Sequence, residues 1–374
     1  GRLAVRKAVV LAAIGALMLG VLAPAPAADL DAPWTATHPV RQQTRMYLAL
    51  LEGGTGYSLQ AGGGSLNFLK TADGGITWSP LPDPPGVGTP HMDFGSPEIG
   101  YIAASGDVFR TEDGAQTWTK MVPPTPDFVS WEAISATNGG RTLALTGTLW
   151  TDPEDEPWRS GECHDPRNDQ MVSYVTNDGG KRWIRGIIFD RPSGTFHVDF
   201  AGKRHGVVTL DKEYQYEKTD ECRFTGASTL GERVMVTHDA GRHWEEALVC
   251  PEPAGCMAVS ITSAKHFATV TSDSRVLVTF DGGKTFETTW LDGLAEAPVR
   301  EHIRWAQGIS FGTAEVGYVS TNGRGIWRTV DGGHSWVREV SPHEIPGYAF
   351  GTVAASGQDD AIAGGPNVLI KRLP

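Results

Sequence analysis

The sequence predicts an all-β chain folded as a single seven-bladed β-propeller of four-stranded antiparallel blades. Three observations carry that prediction. Gly and Pro, 46 and 24 of the 374 residues, punctuate the whole chain, and no stretch after residue 30 sustains the 3.6-residue period of a helix. One eight-residue phrase recurs six times, its starts separated by 40, 65, 61, 42 and 50 residues. That spacing suits one four-stranded sheet per repeat with two insertions, and radial repetition of such sheets makes a propeller.

The N-terminus reads as a processing segment rather than structure. Arg2, Arg6 and Lys7 precede an apolar run from Ala8 to Val21, and Ala25, Pro26, Ala27 and Ala28 follow. This is the pattern of a secretory signal peptide over 1–28, leaving 29–374 as the propeller. The run is too short to span a bilayer as a helix, which takes about 20 residues, so no stable membrane insertion is expected. The destination is secreted, extracellular or periplasmic.

Formal net charge is −12 for the whole chain and −15 once those three cations are removed. Nucleic acid is therefore a poor partner. Nothing in the sequence calls for a cofactor, a metal or an oligomer, and a monomer is expected.

Four cysteines, Cys163, Cys222, Cys250 and Cys256, suggest disulfides in an exported protein and allow three connectivities. Cys250 with Cys256 closes a small loop and leaves Cys163 for Cys222. A zinc site is the rival reading, but Cys-x-x-Cys pairs are absent.

The repeated phrase is Thr-x-Asp followed by a Gly/Ala-rich pair, then a polar residue and an aromatic. Its aspartates are Asp73, Asp113, Asp178, Asp239, Asp281 and Asp331. Gly supplies the positive φ values that a hairpin turn needs, and the carboxylate accepts local N–H groups. The six aspartates are therefore read as turn-holders, not as a metal or catalytic set. Blade two shows the unit, with strand A at 91–94, B at 99–104, C at 108–111 and D from Thr117. Blade six repeats it from Gly308 to Val337. After the last phrase only three strands remain, at 348–353, 360–363 and 368–372. The fourth strand of blade seven is then the mature N-terminus, where Trp34 stands in for the phrase's aromatic; this closure would leave no exposed sheet edge.

On these residues the chain resembles the Asp-box (BNR repeat) propellers over essentially its mature length. The run Ile309 to Trp336 is similar to the photosystem II assembly-factor type, within a sialidase-like group that also includes xyloglucanases. The resemblance implies Asp-box turns and a propeller; it specifies function poorly. The N-terminal Arg-Ile-Pro motif of sialidases is absent, since Arg45 is followed by Met46 and Tyr47.

In such a blade the Asp-boxes are C-to-D turns on one face. Two long insertions, 151–170 in blade three and 211–230 in blade four, lie between strands B and C and rise from the other face, where all four cysteines also map. A stapled rim of long loops suggests a shaped surface, or merely stabilised insertions. Trp150 and Trp158 flank an acidic run at 152–156 that lacks calcium-loop spacing. The A strands begin near the central axis on this face with polar or aromatic residues: His91 and Asp93, Trp131 and Glu132, His197 and Asp199, Trp305 and Gln307, and Tyr348. Two readings follow. In one, the propeller is a non-catalytic scaffold that binds a glycan or protein partner there, with His91, His197, Trp131, Trp305, Gln307 and Tyr348 as contacts. In the other it is a glycoside hydrolase or polysaccharide lyase using two of Asp93, Asp199 and Glu132 as a carboxylate pair.

Overall fold

The structure, a computed structural model, describes residues 34–39, 45–62, 65–85, 90–104, 106–125, 129–149, 169–190, 193–211, 213–218, 224–230, 232–251, 254–291, 306–321, 325–340, 351–365 and 368–373. The signal-peptide segment, Cys163, Cys222, Trp150, Trp158, the acidic run, Trp305 and Tyr348 lie outside them.

Seven four-stranded antiparallel sheets succeed one another along the chain, with strands in sequence order from axis to rim in blades one to six. The innermost strands are Arg45–Leu50, His91–Phe94, Val129–Thr137, Thr195–Ala201, Cys256–Ile261, Ala306–Phe311 and Thr352–Ser356. Blade seven is completed by the N-terminal strand Trp34–Pro39, which pairs antiparallel with Val368–Arg372 from Trp34 opposite Arg372 to Pro39 opposite Val368. The ring is thus closed by joining the two ends of the chain in one sheet. Blade four carries an extra hairpin, Glu213–Lys218 against Phe224–Leu230, within its B-to-C insertion.

Between blades the core is aliphatic and aromatic. Tyr57 of blade one is fully buried and stacks on Phe94 of blade two at 3.5 Å between ring centroids. Such rings bury large areas, and a buried hydroxyl needs a partner. Tyr57 donates to Pro97 O at 2.6 Å, and Tyr101 donates to Gly140 O at 2.5 Å across the next junction.

All six repeated phrases form the same turn. In the first, Thr71 Oγ1 donates to Asp73 Oδ1 and accepts the Gly75 N–H, while Asp73 accepts the N–H and the hydroxyl of Thr77. Trp78 closes the turn by donating its indole N–H to Gly75 O at 3.0 Å. In the exposed second turn the hydroxyl and N–H of Thr117 hold Asp113 down to about 2. The aspartates are turn-holders in geometry as well as in sequence. This geometry also moves a strand boundary. Thr117 is occupied by Asp113, so the outer strand of blade two begins at Thr119, not at Thr117. Among the described residues the inner strand of blade seven runs Thr352–Ser356; the expected start at Tyr348 lies outside them.

Candidate functional site

The seven innermost strands enclose a central channel with a cavity of about 340 Å³, whose lining includes Tyr47, His91, Asp93, Ser135, His197 and Asp199. Two features of these strands shape it.

The first is a set of ties between blades. In an antiparallel pair alternate residues turn their N–H groups away from the partner strand, and these inner-strand N–H groups meet side-chain oxygens from the preceding blade. Asp93 Oδ2 accepts the Ala136 N–H at 2.6 Å, Ser135 Oγ the Phe200 N–H at 3.1 Å, and Asp199 Oδ2 the Ile261 N–H at 2.9 Å. Ser260 Oγ takes the Phe311 N–H and Ser310 Oγ the Ala355 N–H, both at 3.1 Å. The remaining oxygens of the two aspartates, Oδ1 in each, accept the N–H of the following residue, Phe94 or Phe200, at 2.8 Å. At the two junctions flanking blade one the corresponding residues are Ala354 and Ala49. Burial pushes Asp93 up to about 7 and Asp199 to about 6; their N–H partners oppose the shift, and the charge of Asp199 adds to that of Asp93.

The second is a repeated β-bulge at the insertion-face end of the inner strands. Pairing skips one residue between Trp131 and Ala133, Thr195 and His197, Cys256 and Ala258, and Ala306 and Gly308. The extra residues are Glu132, Phe196, Met257 and Gln307, one on each of four consecutive blades. Bulges re-aim side chains and recur next to binding sites. Phe196 and Met257 line the channel cavity, and Phe196 keeps 38% of its surface exposed. Glu132 instead reaches to blade four, accepting the Thr148 hydroxyl at 2.7 Å and the Thr195 N–H at 2.5 Å; burial pushes it above the usual carboxylate range.

The residues nominated from sequence therefore separate. His91, Asp93, His197 and Asp199 come together around the channel. His91 packs on Tyr47 at 5.2 Å between ring centroids, and burial holds His197 down to about 4. Trp131 is buried in the junction of blades two and three, donating to Gly106 O at 3.0 Å with its ring edge-on to Tyr174. Gln307 is a bulge residue whose side chain, like Trp305 and Tyr348, lies outside the described residues. Phe196 and Met257 escaped sequence reasoning, because a bulge is a matter of register with the next strand and leaves no mark in a single strand's pattern.

Beside this mouth a disulfide joins Cys250 to Cys256 at a Cα separation of 5.8 Å, tying the end of blade four to the first residue of the inner strand of blade five. The expected Cys163–Cys222 partner bond lies outside the described residues.

No family model and no curated relative matches the chain. Among solved structures it is similar to YCF48 bound to D1 peptide, at 15% identity and TM-score 0.60, covering 94% of this chain and 97% of that one. It is also similar to YCF48 from Cyanidioschyzon merolae, at 13% identity and TM-score 0.56 over 92% and 99% of the two chains. A selenomethionine-substituted virginiamycin B lyase from Staphylococcus aureus gives 10% identity and TM-score 0.57 over 91% and 98%. At such identities the likeness speaks for the fold, and the chain is a seven-bladed β-propeller.

Proposed function

We propose that this protein is an exported, non-catalytic scaffold of the Asp-box type that holds a protein partner at the insertion-bearing mouth of its channel. The observation that carries the reading is the arc of four bulge residues on blades three to six. It sets Phe196 and Met257, on adjoining blades, against the channel cavity, an apolar pair suited to the side chains of a polypeptide. The oxygens of Asp93 and Asp199 are engaged by backbone N–H groups, which favours a structural duty over acid–base work. A propeller of the same fold, YCF48, has been solved with a peptide. The Cys250–Cys256 bond supports an oxidising compartment. A glycan is the other ligand this rim can take.

The second reading, a glycoside hydrolase or lyase, draws on the burial that raises both Asp93 and Asp199, since a carboxyl lifted toward neutrality suits a general acid. One set of assays separates the two. The purified mature protein is screened on peptide and glycan arrays and against chromogenic glycosides. Peptide binding that falls at least tenfold in Phe196→Ala and Met257→Ala, with unchanged melting, is the expected result. Glycoside turnover that disappears in Asp93→Asn overturns it, and glycan binding without peptide binding changes the partner.

A further inference from the structure

The opposite face, made by the A-to-B turns and the aspartate turns, carries an ordered distribution of charge. Blades three and four present Arg141, Lys181, Arg182, Lys203, Arg204 and Arg242 there, all exposed, and blade five adds Lys265 and Lys284. The acids in these turns are Asp178, Asp239 and Asp281, each bonded within its own turn; Asp178 takes the guanidinium of Arg182 as well as its N–H, so that one cation is offset. The turns of blades six, seven, one and two contain no Lys or Arg and present Glu52, Glu98, Glu112, Glu315, Asp359 and Asp360, all exposed. Cations reach three of these acids from beneath and offset them: Arg110 pairs with Glu112, Arg328 and Arg372 with Asp359, and Lys371 with Asp360. Glu52, Glu98 and Glu315 have no ion pair among the described residues, so the net charge this half presents is negative and rests on them. One half of the disc is cationic and the other anionic.

A disc divided in this way is complementary to itself. A two-fold axis lying in the plane of the face, along the boundary between the halves, lays the cationic half of one copy on the anionic half of the other and repeats the contact on the far side. This is the arrangement of an isologous dimer. The boundary between blades five and six supplies an apolar point on that axis. Phe280 stays 37% exposed and stacks on His334 with ring centroids 4.4 Å apart, while His334 Nδ1 lies 2.7 Å from Glu287. A residue on a two-fold axis meets its own counterpart.

We infer that the aspartate-turn face is a dimer interface between two copies of this chain, facing plus half to minus half with Phe280 at the axis. The pairing departs from the monomer expected on composition, and it leaves the bulge-lined mouth on the other face of each copy open. It stands independently of the proposed function.

The test is molecular mass by sedimentation velocity, since charge-driven pairing is screened beyond about 8 Å at physiological salt. The full mature chain should sediment as a dimer at 50 mM salt (about that strength) and shift toward monomer at roughly 500 mM. Lys181→Glu, Lys203→Glu and Arg242→Glu together reverse one half; Glu52→Lys, Glu98→Lys and Glu315→Lys reverse the other. Each triple variant alone should be monomeric, and an equimolar mixture should restore the dimer, because each then meets its complement. A monomer at all salt concentrations overturns the inference, as does a dimer indifferent to salt and to both reversals. If a variant fails to fold, the salt response of the unaltered chain and Phe280→Asp still decide. A monomer that binds heparin or polyglutamate through the cationic half also overturns it, and reassigns that half to a foreign polyanion.

Discussion

Asp93 of blade two accepts the main-chain N–H of Ala136 in blade three at 2.6 Å, so a carboxylate on the channel wall joins two sheets. The same position in later blades holds Ser135, Asp199, Ser260 and Ser310, each engaged by the next blade. Hydroxyl and carboxylate interchange along this series because both present an oxygen to the same N–H. This interchange gives the aspartates a structural explanation that requires no substrate.

The channel aspartates should also leave a signature in pH. A carboxyl whose folded value is raised contributes stability that is fully present below its unfolded value, near 4, and lost as pH rises through the folded value. For Asp93, at about 7, the window is pH 4 to 7. His197, held down to about 4, works in the opposite direction between roughly pH 4 and 6.5, so the unaltered chain alone is ambiguous. The comparison is therefore with Asp93→Asn. That variant should melt below the unaltered chain at pH 4, having lost an acceptor, and the gap should narrow as pH rises to 7. A gap constant with pH would mean that the carboxyl titrates normally.

Ala354 occupies the tie position at the junction of blades seven and one, and Leu50 the place in the series held elsewhere by the N–H donors; both line the channel cavity. Ala354→Ser should supply the missing oxygen. An added hydrogen bond of this kind contributes about 1 kcal/mol, so the melting temperature should rise by a degree or two, about what that energy gives in a chain of this size. Unchanged melting, with the hydroxyl free of Leu50 in a crystal structure, would refute the equivalence of this junction with the others.

Asp331 accepts the N–H and hydroxyl of Ser335 and the hydroxyl of Thr329. Asp331→Ala leaves those donors unpaired and should lower stability by about 1–3 kcal/mol, the usual cost of orphaned polar groups. Partner binding at the opposite face should be unaffected. Lost binding with normal melting would contradict the structural role of the turn.

What could be read from sequence was what short stretches encode alone. The phrase around Asp331 contains its own turn, because the groups that satisfy the carboxylate lie within four residues of it. The closing role of the N-terminal strand was legible because three strands after the last phrase cannot fill a blade. The site was less legible. Asp93 and Asp199 looked catalytic because a polar residue on an inner strand has no local explanation; their partners are 43 and 62 residues away. Trp131 looked like a ligand platform for the same reason, although its partner is Gly106 in the preceding blade. Phe196 and Met257 acquire their place only when strand B sets the register.

The last prediction concerns closure. Glu339 of blade six is buried, with its side chain 2% exposed. It accepts the Trp34 indole N–H at 3.0 Å and the Arg372 guanidinium at 3.0–3.2 Å, with Arg328 at 3.8 Å. Trp34 belongs to the N-terminal strand and Arg372 to the C-terminal one, so one carboxylate binds both sides of the seam that closes the ring. Removing one partner of a buried ion pair costs about 3–5 kcal/mol because the other charge stays desolvated. Glu339→Leu should therefore be among the most destabilising single changes in the chain, and it should loosen the seam before the rest of the ring. Hydrogen exchange should show early loss of protection in Trp34–Pro39 and Val368–Arg372, with blades three and four still protected. Trp34→Phe, which keeps the packing against Tyr318 and removes only one donor, should cost about 1 kcal/mol. If Glu339→Leu instead melts all seven blades in one step at every denaturant concentration, the seam is not the weak point of the ring and closure is shared evenly among the junctions.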